Sequence, residues 1–229
     1  MNFISVQATY SQSHIALFHD STCLESVSHT DARSSSHLIP FIQSLLQKHN
    51  LVISDMSFFS LDKGPGAFTS LRVTVTTFNG IAFSHHIPLI GIDGLDALLY
   101  DMCLSCSGYH VALLNAYNND VYYALSDEHG VLMQKGCKNI DLVLHDLKNL
   151  CPQTTIYCAG NGAILFKDAI TSQLKGQVVC IEPIQETASV KTIGLLALEE
   201  FKHPHEPQYS ITPFYLKTQL FAMRPNITH

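Results

Sequence analysis

The chain has 229 residues, 46% of them hydrophobic, enough to bury one large core or two modest ones. Only 14% are charged and the formal net charge is −6; residues 1–110 carry 4 Lys/Arg against 8 Asp/Glu, and the remainder 9 against 11. Phosphate neutralisation drives RNA affinity, so a chain with neither half basic does not grip RNA unaided.

The opening Met1–Val6 has no basic region and its apolar run ends at Gln7, unlike a secretion signal. No stretch approaches the roughly 18 unbroken apolar residues of a membrane span. Seven scattered cysteines, an odd number, are expected to be reduced thiols of a cytoplasmic protein. The sequon Asn226-Ile227-Thr228 then meets no glycosylation machinery.

In chain order, strands are expected at Asn2–Val6, His14–His19 and Leu24–His29. A helix follows: Ser34, Ser35 and Ser36 offer N-caps, and Leu38, Phe41, Ile42, Leu45 and Leu46 recur at helical spacing. A strand at Met56–Leu61, a Gly-Pro-Gly turn, the segment Thr69–Ser84, a strand at Pro88–Ile92 and a helix at Gly94–Cys103 complete the first half. Thr69–Ser84 contains the β-branched run Val73–Thr77. Yet Leu71, Val75, Phe78 and Ala82 fall four, three and four apart, and the segment is long for a strand, so the spacing predicts a helix.

The remainder repeats this order. Strands at His110–Asn115, Val121–Ser126 and Val131–Cys137 precede a helix at Asp141–Leu150. Strand Thr154–Ala159, helix Ala163–Lys175, strand Gln177–Glu182 and helix Ala188–Lys202 follow, and the tail from Pro204 reads as loop. Two α/β halves of βββαβαβα order, residues 1–105 and 106–229 hinged near Cys103–Gly108, suggest the duplicated ribonuclease-H-like fold of the actin-like ATPases, with mixed sheets flanked by helices. In the first half the opening strands are expected to form an antiparallel meander, to which Met56–Leu61 and Pro88–Ile92 add in parallel.

The segment Asp62-Lys63-Gly64-Pro65-Gly66-Ala67-Phe68-Thr69-Ser70-Leu71-Arg72-Val73 is the most informative. On physical grounds it is a fixed turn ahead of a helix N-terminus: either a generic anion cradle or a tight turn that binds nothing. It lacks the Lys-Ser/Thr of a P-loop. The segment is similar to the GRGPGSFTGLRIG block of the TsaB family, within the actin-like superfamily. Ile87-Pro88-Leu89-Ile90-Gly91, Leu114-Asn115-Ala116, Gly160-Asn161-Gly162-Ala163 and Tyr215-Leu216-Lys217 resemble further family segments, so the likeness spans the chain.

That resemblance implies a non-catalytic scaffold subunit. It binds a TsaD transferase, with a TsaE ATPase in the same assembly, and supports formation of N6-threonylcarbamoyladenosine at position 37 of ANN-decoding tRNAs. Contact with tRNA is made only through the complex, and no membrane is involved. The implied partner surface is the two helices of the first half, with Phe41, Leu45, Gly64, Pro65, Gly66, Phe68, Thr69, Leu71, Arg72, Val73, Val75 and Thr76 as its candidates. A regulatory homodimer through the same helices, or a degenerate actin-like kinase or transferase, are the competing readings.

Actin-like ATPases place an acid in the first hairpin of each half to hold Mg²⁺, and without it phosphoryl transfer loses charge neutralisation. By the resemblance those positions are Gln7 and Asn115, both neutral amides. The remaining suspects read as ordinary: His203-Pro204-His205 as a solvated loop, Cys103-x-x-Cys106 as two thiols ending a helix, and His85-His86 as a helix C-terminus. No G-x-S-x-G elbow occurs. No catalytic residue, cofactor or metal ligand is therefore assigned.

Overall fold

The computed structural model describes residues 1–10, 12–30, 34–105, 108–151, 154–180, 182–203 and 206–217. Cys106, His205 and the sequon at 226–228 lie outside them. Strands β1 (Asn2–Gln7), β2 (Gln12–His19) and β3 (Thr22–Thr30) form the expected antiparallel meander. Helix α1 (Ser34–Lys48), β4 (Met56–Asp62), α2 (Phe68–His85), β5 (Leu89–Ile92) and α3 (Gly94–Ser105) follow. The later strands β4 and β5 add in parallel, giving the sheet order β3-β2-β1-β4-β5.

The second half repeats the plan with β6 (Tyr109–Asn115), β7 (Asp120–Ser126), β8 (Leu132–Asn139), α4 (Ile140–Leu150), β9 (Ile156–Ala159), β10 (Val178–Cys180) and α7 (Val190–Lys202). Its sheet order, β10-β9-β6-β7-β8, matches that of the first. One expected element differs. The helix expected over Ala163–Lys175 is two short helices, α5 (Asn161–Leu165) and α6 (Lys167–Gln173), because Phe166 leaves the helical angles and turns partly into the core beneath the second sheet.

Helical spacing prevails over β-propensity in α2. Leu71, Val75, Phe78 and Ala82 are buried against the first sheet, and the Thr74 hydroxyl donates to the Ser70 carbonyl one turn back, 3.0 Å away. The helix stops at His86, which takes left-handed angles while its N–H reaches the Ala82 carbonyl.

Each sheet is covered on both faces, and two helices change places. Helices α1 and α2 lie on the outer face of the first sheet, over Ile4, Val6, Phe59 and Leu61. Its inner face is covered by α7, from the end of the chain, while α3 lies on the second sheet. Helices α3 and α7 touch each other, so the two sheets share one central core. On the inner face a run of stacked rings, Phe18, Phe3, Phe58 and Phe201, has centroids 4.7, 4.4 and 4.6 Å apart. Beside it the buried Ser5 and Ser60 hydroxyls donate to the Val190 and Ile193 carbonyls of α7, at 2.9 and 3.2 Å.

The close approach of α7 requires Gly194. A Cβ there would lie 2.7 Å from the Phe18 ring and 3.2 Å from Ser5 Cβ. In an exposed helix Gly→Ala stabilises by up to about 1 kcal/mol. Here the sign should reverse, Gly194→Ala costing about 1–3 kcal/mol through overpacking. Urea denaturation measures it, and an equal or higher midpoint would contradict the packing described.

Candidate functional site

Two places in the fold bear on function: the junction where the sheets meet at their strand ends, and the outward face of α1 and α2. At the junction β1 ends in Gln7 and the neighbouring β4 ends in Asp62, both buried. Gln7 Nε2 donates to Thr9 Oγ1 at 2.9 Å and to Asp62 Oδ2 at 3.4 Å; Thr9 Oγ1 donates to the same oxygen at 3.3 Å. The other oxygen, Asp62 Oδ1, accepts from the Gly64 N–H at 2.8 Å.

In the second half Asn115 is used in the same inward way. Its Oδ1 accepts from the Tyr117 N–H at 2.9 Å, and its own N–H donates to Asn161 Oδ1 at 2.8 Å. Across the junction the Tyr10 hydroxyl donates to the Asn115 carbonyl at 2.8 Å, and burial pushes its pKa well above 10, so it stays a donor. Gly160-Asn161-Gly162 is a strand-to-helix turn closed against Leu113 and Asn115.

Neutral, internally bonded amides therefore stand where a Mg²⁺-positioning pair would be needed, and the residues do not fit a metal-bound nucleotide. Among the described residues no three His, Cys, Asp or Glu side chains converge as a metal site. The adjoining cavity of about 390 Å³, lined by Gln7, Tyr10, His14, Gln185, Glu186 and Lys191 among others, is mixed in character.

Asp62 is the group that sequence reasoning missed; a lone Asp before a Gly-Pro-Gly turn gives no sign of burial. Burial raises its pKa to about 7, helped by the charge of Asp93 and opposed by its donors at Gly64, Gln7 and Thr9. Because the folded pKa exceeds the usual 3.8, folding favours the protonated acid. That contribution is complete below about pH 4 and is lost as pH rises towards 7. Asp62→Asn keeps an acceptor for the Gly64 N–H and removes the charge. The variant should lose less stability between pH 4 and 7.5 than the parent does, measured by thermal melts across that range. Parallel profiles would show that Asp62 titrates normally.

The twelve candidate interface residues separate into two groups. Leu45, Leu71 and Val75 are 3, 1 and 2% exposed and pack against the chain's own first sheet; Gly64 and Pro65 are buried as well. These five are buried within the chain itself. Their spacing marks an apolar stripe, and that stripe faces inward. Phe68, Thr69, Arg72 and Thr76 are exposed, Val73 and Gly66 are half-buried, and Phe41 is half-buried against His29.

The outward side of α2 continues to Gly80, where no described residue lies within 4 Å of the place a side chain would begin, and to Phe83, 76% exposed. Ile39 is exposed on the neighbouring α1. At the start of α2 the Arg72 guanidinium lies 3.8 Å above the Phe68 ring. Its Nε donates to the Tyr215 hydroxyl at 2.8 Å, bringing the C-terminal segment onto this face. That segment, residues 206–217, is extended: Leu89 N–H bonds Gln208, the Asn79 amide pairs with both backbone groups of Ile211, and Lys217 reaches Asp120 at 2.7 Å.

A family model described as "TsaD: tRNA N6-adenosine threonylcarbamoyltransferase" matches residues 28–175, well over half of the chain. The chain belongs to this family, as a TsaB-type member. The tRNA threonylcarbamoyladenosine biosynthesis protein TsaB of Escherichia coli is 22% identical over 134 residues, 57% of this chain and 58% of that protein. TsaB of Bacillus subtilis is 24% identical over 152 residues, 64% of each. These alignments thus span a little over half of the length of the curated relatives. A Pseudomonas aeruginosa crystal structure, described as similar to peptidase YEAZ, superposes with a TM-score of 0.75 at 17% identity. It covers 94% of this chain and 99% of its own, and the likeness establishes the fold of the TsaB-type chain.

Proposed function

We propose that this TsaB-type chain is a non-catalytic scaffold subunit. It binds a TsaD transferase through the outward faces of α1 and α2 and supports formation of N6-threonylcarbamoyladenosine at position 37 of ANN-decoding tRNAs. A TsaE ATPase joins the same assembly, and tRNA is met through the complex, in keeping with the net charge of −6.

The observation that carries this reading is the outward stripe of α2. Val73, Thr76, Gly80 and Phe83 follow one another at helical spacing on the side turned away from the sheet. A glycine inside a helix costs about 1 kcal/mol against alanine, and among the described residues nothing lies within 4 Å of where a Gly80 side chain would begin. A second helix brought close at that point supplies a reason for it. The Arg72, Phe68 and Tyr215 cluster at one end has the composition of a binding hot spot, and Phe83 lies at the other. The family relationship supports a TsaD transferase as that partner.

Catalysis is left to that partner, because Gln7 and Asn115 spend their amides on Thr9, Asp62 and Tyr117. Alone, the chain is expected to turn over no ATP and to modify no tRNA.

Val73 is half-buried at the edge of the stripe, so Val73→Glu should fold while placing a charge in the contact. An anchor of this size contributes about 1.5–3 kcal/mol, equivalent to a loss of roughly 10- to 100-fold in affinity for TsaD. Titration calorimetry with TsaD, after a cooperative melt of the variant, measures it, and reconstituted tRNA modification should fall in parallel. A folded variant that binds TsaD as the parent does would remove this face as the interface. Sedimentation of the parent alone decides the homodimer reading.

A further inference from the structure

The second sheet ends at the three-residue strand β10, which pairs in parallel with β9 so that Cys180 stands in register with Cys158. Registered residues of neighbouring parallel strands project to the same face about 4.8 Å apart. Disulfide Cα atoms lie about 4.4–6.8 Å apart, so the backbone spacing of this pairing falls within the range a disulfide spans. Both cysteines are free, and each thiol is the largest influence on the other's pKa, raising that of Cys158 and lowering that of Cys180. Cys158 is buried and Cys180 half-buried, so one thiol is reachable from solvent and the other waits behind it.

We propose that Cys158 and Cys180 are a reversible dithiol–disulfide pair, oxidised by hydroperoxides, that staples the edge strand of the second sheet. Cys180 is the attacking thiol. The hydrogen bond from Cys158, followed by the positive charge of Lys167, brings its pKa down to about 7 against the opposing effect of burial. Its thiolate attacks the peroxide oxygen, forming a sulfenic acid and releasing water once the leaving hydroxide is protonated. The Cys158 sulfur then displaces the sulfenic oxygen as a second water, closing the S–S bond. Two thiols give up two electrons and two protons, and hydrogen peroxide is reduced to two waters.

The staple would sit at the base of the junction. Two residues beyond Cys158 the Gly160 N–H bonds the Gln185 carbonyl, and the Asn161 N–H bonds that of Glu186, each at 2.7 Å. Gln185 and Glu186 line the 390 Å³ cavity, so oxidation would fix the wall of the junction that follows β10.

The test uses the full reduced chain treated with hydrogen peroxide, then iodoacetamide, and mapped after trypsin. The expected product joins peptides 149–167 and 176–191 and disappears on dithiothreitol treatment. Because Cys151 shares the first peptide, the same product must form in Cys151→Ser. In Cys158→Ala, alkylation of Cys180 at pH 7 should slow by roughly tenfold as its thiolate is lost. If Cys158 and Cys180 stay alkylatable while other thiols oxidise, or Cys180 goes on to the sulfinic acid with Cys158 intact, the proposal is overturned.

Discussion

The approach of α7 to the first sheet is the contact on which the rest of the structure depends. Ser5, Ser60 and Gly194 are small where a larger side chain would hold the helix away, and the serine hydroxyls bond directly to its carbonyls. The stacked phenylalanines fill the space beside them. With α7 seated there and α3 seated on the second sheet, neither half of the sequence encloses a complete core by itself. The two halves fold as one unit or lose the inner face of both sheets.

That arrangement also decides what remains free. With its inner face covered by α7, the first sheet has only its outer face for α1 and α2, whose far sides are left to solvent. The chain emerges from α7 beside β5, runs along that edge and carries Tyr215 to Arg72. The proposed partner surface is therefore made from the first half and the last described residues together. The junction, meanwhile, is drawn tight by amide and hydroxyl bonds around the buried Asp62.

The repeating order of elements was legible in the sequence, because strand alternation and helical periodicity are local signals. Even the β-branched run of α2 yielded to its four-three-four spacing, since the inward stripe of Leu71, Val75 and Phe78 outweighs intrinsic preference. Phe166 was not legible as a break, because an aromatic residue inside a helical pattern reads as one more apolar position. The direction of a stripe was not legible either. Leu45, Leu71 and Val75 have the spacing of an interface and the environment of a core, and only the tertiary fold separates the two. What joins distant parts of the chain lay beyond the pattern altogether: the exchange of α3 and α7, the burial of Asp62, the Arg72–Tyr215 bond and the register that aligns Cys158 with Cys180.

The central claim is that α1 and α2 dock a TsaD subunit, and amide hydrogen exchange with and without that partner tests it most directly. Protection gained on binding should concentrate in α1, in α2 and in the segment around Tyr215, with the second sheet unchanged. Protection confined instead to the outer edge of the second sheet, where Leu132 and Met133 are exposed, would contradict the account.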